Sequence, residues 1–203
     1  MEVGKSRSER SDATRLALIG SARRLFGTSS YSEVSLAEIV EASGVTKGAL
    51  YHHFPGGKKD LMEAVYEQVE SEFTENIAAQ VLPTLGEGDT DPLDVMEAAI
   101  GVTLEASLDS ELQQIVLIDS RSVLGWARWR EIADDHSLAV IKALLNAAVE
   151  FGSMKPLPVD AVANLLSASI SEAIMSIARA EDQEKAKADS AEALGAILDG
   201  LRV

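Results

Sequence analysis

The chain has 203 residues, 46% of them hydrophobic and 4% aromatic, with a formal net charge of −15 and no cysteine. That length suits one small and one larger domain, and the missing cysteine excludes disulfides and thiolate metal sites. The first dozen residues are too polar for a secretory signal, and no apolar run approaches the ~20 residues of a membrane helix, so a cytoplasmic location without a membrane partner is expected.

The charge is unevenly divided. Residues 1–60 hold nine Lys/Arg and seven Asp/Glu, a balance of +2; residues 61–203 hold nine and twenty-six, a balance of −17. Lys5, Arg7 and Arg10 form a basic arm ahead of the first helix, diluted by Glu2, Glu9 and Asp12. The first helix includes Leu18–Phe26. Gly20 interrupts it and weakens it by about 1 kcal/mol relative to alanine.

The next stretch, Ser35–Phe54, reads SLAEIVEASGVTKGALYHHF. Ser35 with Glu38 three residues on can form a capping box. Leu36, Ile39 and Val40 recur at helical spacing and face a core. Gly44 can take positive φ and ends this helix. Thr46 caps a second helix, whose Leu50 and Phe54, with Val45, point inward. Lys47, Gly48, Ala49, Tyr51 and His52 then face outward. Gly48 and Ala49 let a groove wall come close, Thr46, Tyr51 and His52 can donate to phosphate oxygens, and Lys47 adds charge. Two short helices joined in this way place the second in the major groove of DNA. Ser35, Thr46, Lys47, Gly48, Ala49, Tyr51 and His52 are therefore candidate DNA contacts. The acidic C-terminal part would repel DNA, so docking is expected on the N-terminal face alone. The basic arm could lie along phosphates or in a minor groove.

From about Arg15 to Leu61 the chain resembles the TetR family of transcriptional regulators. Residues 18–26 are similar to that family's first helix and residues 44–54 to its turn and recognition helix. Phe54-Pro55-Gly56-Gly57-Lys58-Lys59-Asp60-Leu61 is similar to the entry to its fourth helix. The resemblance implies that Lys58 contacts phosphate at that helix start, where the N–H groups also attract anions. Ser30 sits where the family usually has Gly, and a positive φ there would cost about 1 kcal/mol or somewhat more. Val34 sits where a Thr is common.

The rest reads as helices. One runs from Lys58 to about Gln80, with Leu61, Val65, Val69 and Phe73 near one stripe, and would carry a signal to the DNA-reading module. A loop at residues 86–90 precedes a helix that Asp91-Pro92 opens and that runs to about Leu108. Ser110 with Gln113 suits a capping box for a short helix through Ile118. A long helix is expected over about 122–151, stopped by Gly152, with a boundary at Pro156 and Pro158. Two more follow, about Val159–Ala180 and Gln183–Leu201. Leu166, Ser169, Ala173 and Ile177, and then Leu194, Ile197, Leu198 and Leu201, form stripes suited to a dimer interface of four helices. The resemblance implies the same arrangement. The plainer reading is that these stripes bury against the chain's own core.

The resemblance further implies a small-molecule pocket among the middle helices. Trp126, Trp129, Asp119 and His136 are its candidate lining, although tryptophans at helical spacing equally suit a core. Asp134, Asp135 and His136 are consecutive and cannot easily converge on one site. No nucleotide, zinc-protease or nucleophile-elbow motif is present. No enzyme activity and no cofactor are expected.

The expectation is an all-α chain. Residues 1–60 form the arm and a three-helix DNA-binding module with a helix-turn-helix, and residues 61–203 a larger helical effector-binding and dimerisation domain. Its expected partners are double-stranded operator DNA, a small-molecule effector and a second copy of itself. The expected function is that of a repressor that binds a pseudo-palindromic operator as a dimer and releases it on binding the effector. The rival is a protein–protein adaptor of the same fold without sequence-specific DNA binding.

Overall fold

A computed structural model describes residues 7–81, 83 and 90–203 of the chain. Lys5 of the basic arm and most of the 86–90 loop lie outside the described residues. Helices α1 (Arg7–Thr28), α2 (Leu36–Ser43), α3 (Lys47–His53) and α4 (Lys58–Val81) come first. Arg7 and Arg10 thus belong to α1 instead of preceding it. Next come α5 (Pro92–Ala106), the short α6 (Ser110–Leu112), a π-helical segment π1 (Gln113–Ser120) and α7 (Arg121–Leu124). Then α8 (Trp126–Ala133), a second π-helical segment π2 (Asp134–Leu138), α9 (Ala139–Phe151), α10 (Val159–Arg179) and α11 (Gln183–Leu201) complete the order. Among the described residues the only β-type pairing is one isolated antiparallel bridge, Met154 to Arg202.

The described chain packs as two units, and no single cut in the sequence separates them. The first takes the chain up to Val69 together with Gln114–Trp129; the second takes Glu70–Gln113 and Arg130–Val203. In the first, Leu18, Ile19, Ala22 and Phe26 of α1, Ile39 of α2 and Leu50 of α3 are buried, as are Leu61, Met62, Val65 and Tyr66 of α4. In the second, one core joins Leu93, Met96, Ile100 and Leu104 of α5, Leu144, Leu145 and Ala148 of α9, and residues of α10 and α11.

Three local departures have local causes. The helix expected over 122–151 is broken at Gly125, whose φ of 79° lies where a side chain is strained. The helix before it is capped by Asp109, not Ser110: the Asp109 carboxylate accepts from the N–H groups of Glu111 and Leu112. Gln113 instead donates its side-chain amide to the Ser107 carbonyl. Ser30 needs no positive φ, since no described non-glycine residue has one. The Glu33 carboxylate accepts from both its N–H and its hydroxyl.

By length and composition, α10 is apolar enough to cross a membrane. Its apolar residues are interspersed with Ser, Asn and Glu, so no unbroken apolar run marks it in the sequence.

Candidate nucleic-acid interface

The two helices of the DNA-reading module are held by caps at both ends. Ser35 Oγ accepts from the Glu38 N–H at 3.2 Å, while the Glu38 carboxylate accepts from the Ser35 N–H at 2.7 Å. Hydrogen bonds from the Ser35 side chain and the Ser35 N–H hold the Glu38 carboxyl below its ordinary pKa. Gly44 closes α2 with φ 67°. Thr46 Oγ1 accepts from the Ala49 N–H at 3.2 Å and opens α3. In the Thr46 cap the hydroxyl oxygen accepts, so its own proton stays available for an acceptor such as a phosphate oxygen.

Burying Leu50 and Phe54 fixes which face of α3 turns outward. Ser35, Thr46, Lys47, Gly48 and His52 are exposed, Ala49 is half-buried, and Tyr51 is 44% exposed. All of these but Ala49 are thus open to solvent. Arg15 of α1, which the motif did not single out, is also exposed and sits 5.6 Å over the Phe54 ring. Its signal was weak, because a lone arginine on a helix carries no spacing pattern.

Lys58 differs from the expectation. Its ammonium donates to the carbonyls of Tyr31 at 2.6 Å and Val34 at 2.7 Å and lies 4.2 Å over the Tyr31 ring. The side chain clamps the α1–α2 turn, and only the N–H end of α4 is left to attract a phosphate. The Asp60 carboxylate already accepts from the Gly56 N–H at 2.6 Å in the turn before that end. The same α1–α2 turn is held from a second side: Asp119 of π1 accepts from the Tyr31 N–H at 2.8 Å and from Gln114 Nε2 at 2.9 Å. Burial, then the nearby Asp119 charge, raises the Tyr31 phenol above its ordinary pKa.

Comparison with known proteins decides what this module belongs to. Residues 18–65 match the family model of bacterial regulatory proteins of the tetR family, and residues 93–201 match the tetracyclin repressor-like C-terminal domain. The chain belongs to the TetR family. It is 28% identical to the transposon Tn10 TetC protein of Escherichia coli over 167 residues, 82% of this chain and 81% of that one. It is 37% identical to the HTH-type transcriptional regulator LmrA of Bacillus subtilis over 86 residues, 42% of this chain and 43% of that protein. A TetR-family transcriptional regulator from Pectobacterium atrosepticum shares the fold at a TM-score of 0.83 with 32% identity, covering 98% of both chains. RolR in complex with resorcinol matches at a TM-score of 0.71 and 22% identity, covering 96% of this chain and 95% of that one; that likeness is one of fold. A TetR-family chain is a DNA-binding transcription factor and not an enzyme.

The four candidate pocket residues are divided between the two units. Asp119, Trp126 and Trp129 belong to the unit that carries the DNA-reading module, whereas His136 belongs to the other. Trp129 is 3% exposed, its indole N–H donates to the Val116 carbonyl at 2.8 Å, and its ring lies parallel to that of Tyr66. Asp119 is occupied by the α1–α2 turn. Trp126 is 56% exposed, with Arg121 over its face. These groups join π1, α7 and α8 to α4, assisted by Arg128 ion pairs to Glu63 and Glu67. Sequence spacing could not show this, because the partners lie far away in the chain.

Most residues of the dimer stripes lie in the chain's own core, a reading that is compatible with an interface beside them. Leu166, Ile177, Leu194 and Leu198 are buried in their own unit's core, and Ala173 and Leu201 pack against it. Ser169 is half-buried and donates to the Leu165 carbonyl. Of the eight, Ile197 alone is well exposed, at 46%. The face left uncovered runs through Ala161, Leu165 and Ala168 of α10 and Ala193, Ala196 and Ile197 of α11, with Leu165 at 70% exposure. The stripes had been drawn through the most apolar positions, and those are the ones a monomer buries first.

Proposed function

We propose that the protein is a cytoplasmic repressor that binds a pseudo-palindromic operator as a homodimer and releases it on binding a small-molecule effector. The observation that carries this reading is the outward face of α3. Lys47, Gly48, Tyr51 and His52 stand exposed on a helix fixed by two buried side chains and a threonine cap. Lys47 and Tyr51 position the module on phosphates, and the small Gly48 and Ala49 let it approach base edges. Ser35, Thr46 and the N–H end of α4 at Lys58 add phosphate contacts.

Dimerisation is supported by the uncovered apolar faces of α10 and α11, which a two-fold related copy would cover. Two α3 helices would then read half-sites about one helical turn apart. Effector response is supported by the second matched family domain and by RolR, whose resorcinol complex has the same fold. An effector that binds one arrangement better by a few kcal/mol is enough to empty the operator. The route would pass through α4, which runs in sequence from the Lys58 clamp into the second unit.

Selection of bound sequences from random duplex DNA tests the reading. Enrichment of an inverted repeat is expected. No enrichment at low salt from effector-free protein would favour the adaptor instead.

A further inference from the structure

The DNA-reading module is not completed by its own stretch of sequence. The matched N-terminal family domain ends at residue 65, yet the turn between α1 and α2 is gripped by a carboxylate from within the 93–201 match. Asp119 Oδ2 accepts from the Tyr31 N–H at 2.8 Å and from Gln114 Nε2 at 2.9 Å. On its other side, Tyr31 gives its carbonyl to the Lys58 ammonium, which also takes the Val34 carbonyl. One residue of the turn thus has its N–H held by an anion and its carbonyl by a cation. All of these groups lie in one unit.

Asp119 is itself firmly placed. It is 7% exposed, between the buried Ser120 and the buried Ile115 of π1. The Ser120 hydroxyl donates to the Ile115 carbonyl, and the Trp129 indole N–H donates to the Val116 carbonyl. These bonds fix the π1 turn that carries the carboxylate, and π-helical turns occur frequently at functional sites. A carboxylate is costly to withdraw from water, and an apolar residue of similar volume avoids that cost. What the apolar residue cannot supply is an acceptor for the Tyr31 N–H.

The held turn leads directly into the DNA-reading pair. Val34 is buried, Ser35 caps α2, and α2 packs on both α1 and α3. A shift of the turn therefore moves the start of α2 and, through the packing, the angle of α3. A turn fixed before DNA arrives also removes its ordering from the cost of binding. Direct contact is the wrong role for Asp119, because a carboxylate repels phosphates. We propose that Asp119 is a positioning residue for operator binding, which acts through the Tyr31 N–H to hold the α1–α2 turn and so keep α2 and α3 in register with the duplex. This rests on the DNA-reading assignment of α3 given above.

The test compares Asp119→Ala, Asp119→Leu and Asp119→Asn with wild type, each as the full chain. Fluorescence anisotropy measures affinity for the inverted repeat recovered by selection and for a random duplex. Melting curves and sedimentation establish that each variant is folded and assembled as wild type is. Alanine removes the acceptor and leaves a hole; leucine removes it at a similar volume and decides the matter where alanine does not fold. Asparagine is the rescue, since one amide oxygen accepts two hydrogen bonds as Asp119 Oδ2 does. The alanine and leucine variants are expected to bind the repeat at least about tenfold more weakly. Their affinity for random duplex is expected to hold, because that binding needs phosphate charge and not register. Asp119→Asn is expected to stay within about threefold of wild type on the repeat, having lost only the charge on the acceptor. Wild-type affinity in folded Asp119→Leu would overturn the proposal. So would parallel losses on both duplexes, the mark of a partly unfolded protein, or an asparagine variant as weak as leucine. Failure of both alanine and leucine variants to fold would make Asp119 a residue of the fold and overturn the positioning role. A wild type that enriches no repeat would overturn the DNA-reading assignment and this proposal together. Affinity lost in Lys47→Ala/Tyr51→Phe but kept in folded Asp119→Leu would overturn this proposal alone.

Discussion

Single residues in this protein do work that their type alone does not announce. Lys58 has the position of a phosphate contact, but its ammonium is held by two carbonyls and an aromatic face. Gly20 is the opposite case: a Cβ there would meet nothing within 4 Å, and the residue is exposed within α1. Gly20→Ala is therefore expected to stabilise the DNA-reading unit by about 1 kcal/mol, read as a higher urea midpoint. Asp91 caps α5 through the Leu93 N–H, accepts the Ser153 hydroxyl at 2.6 Å and pairs with Arg202 at 2.6 Å. Burial alone would raise its carboxyl, but Ser153, Leu93 and Arg202 outweigh it and hold the pKa below the ordinary value. A carboxyl lowered on folding stabilises the native state above the ordinary range, about 3.9, and loses that contribution as pH falls through the folded value. Asp91→Ala is expected to cost about 1 kcal/mol or more at neutral pH through loss of the cap. The gap to wild type, followed by denaturant unfolding across pH, should narrow in acid.

At the scale of elements, most of what is local was legible in the sequence. The Ser35–Glu38 box, the Gly44 stop, the Thr46 cap and the bounds of α11 all depend on residues within one turn of each other. All four are found as expected. What was not legible depends on distant partners or on competition. Asp109 outcompetes Ser110 as a cap because its carboxylate reaches two N–H groups at once. The break at Gly125 is invisible to periodicity, since a glycine inside a helical pattern is ordinarily tolerated. The attachment of π1 and α7 to the DNA-reading unit rests on contacts such as Asp119 to Tyr31, 88 positions apart in the chain. The candidate pocket residues were chosen as the conspicuous aromatic and polar groups of the C-terminal part. Of these, Asp119 holds the Tyr31 N–H and Trp129 joins π1 to α4, while the Arg130–Ser167 pair joins segments 37 positions apart.

On the scale of the whole molecule, charge and apolar surface divide the labour. The balance of +2 in residues 1–60 against −17 beyond restricts any polyanion to the N-terminal face. The uncovered faces of α10 and α11 have small and aliphatic side chains, and they carry the proposed interface between copies. Leu165→Glu places a charge at the most exposed aliphatic position of α10 without touching the core residues Leu166 and Leu198. It is expected to convert a dimer to a monomer in sedimentation with unchanged helical content. A variant that stays dimeric would move the interface elsewhere. Removing α11 altogether is a poorer test, since Leu194 and Leu198 hold the second unit's own core.

The central claim is that the exposed face of α3 reads DNA, and its most direct test is operator affinity. Wild type and the Lys47→Ala/Tyr51→Phe double variant are compared by fluorescence anisotropy on the inverted repeat recovered by selection, with sedimentation run alongside. Loss of contacts worth about 1–3 kcal/mol each predicts at least a tenfold weaker complex with the dimer intact. Equal affinity in the two proteins would contradict the assigned face.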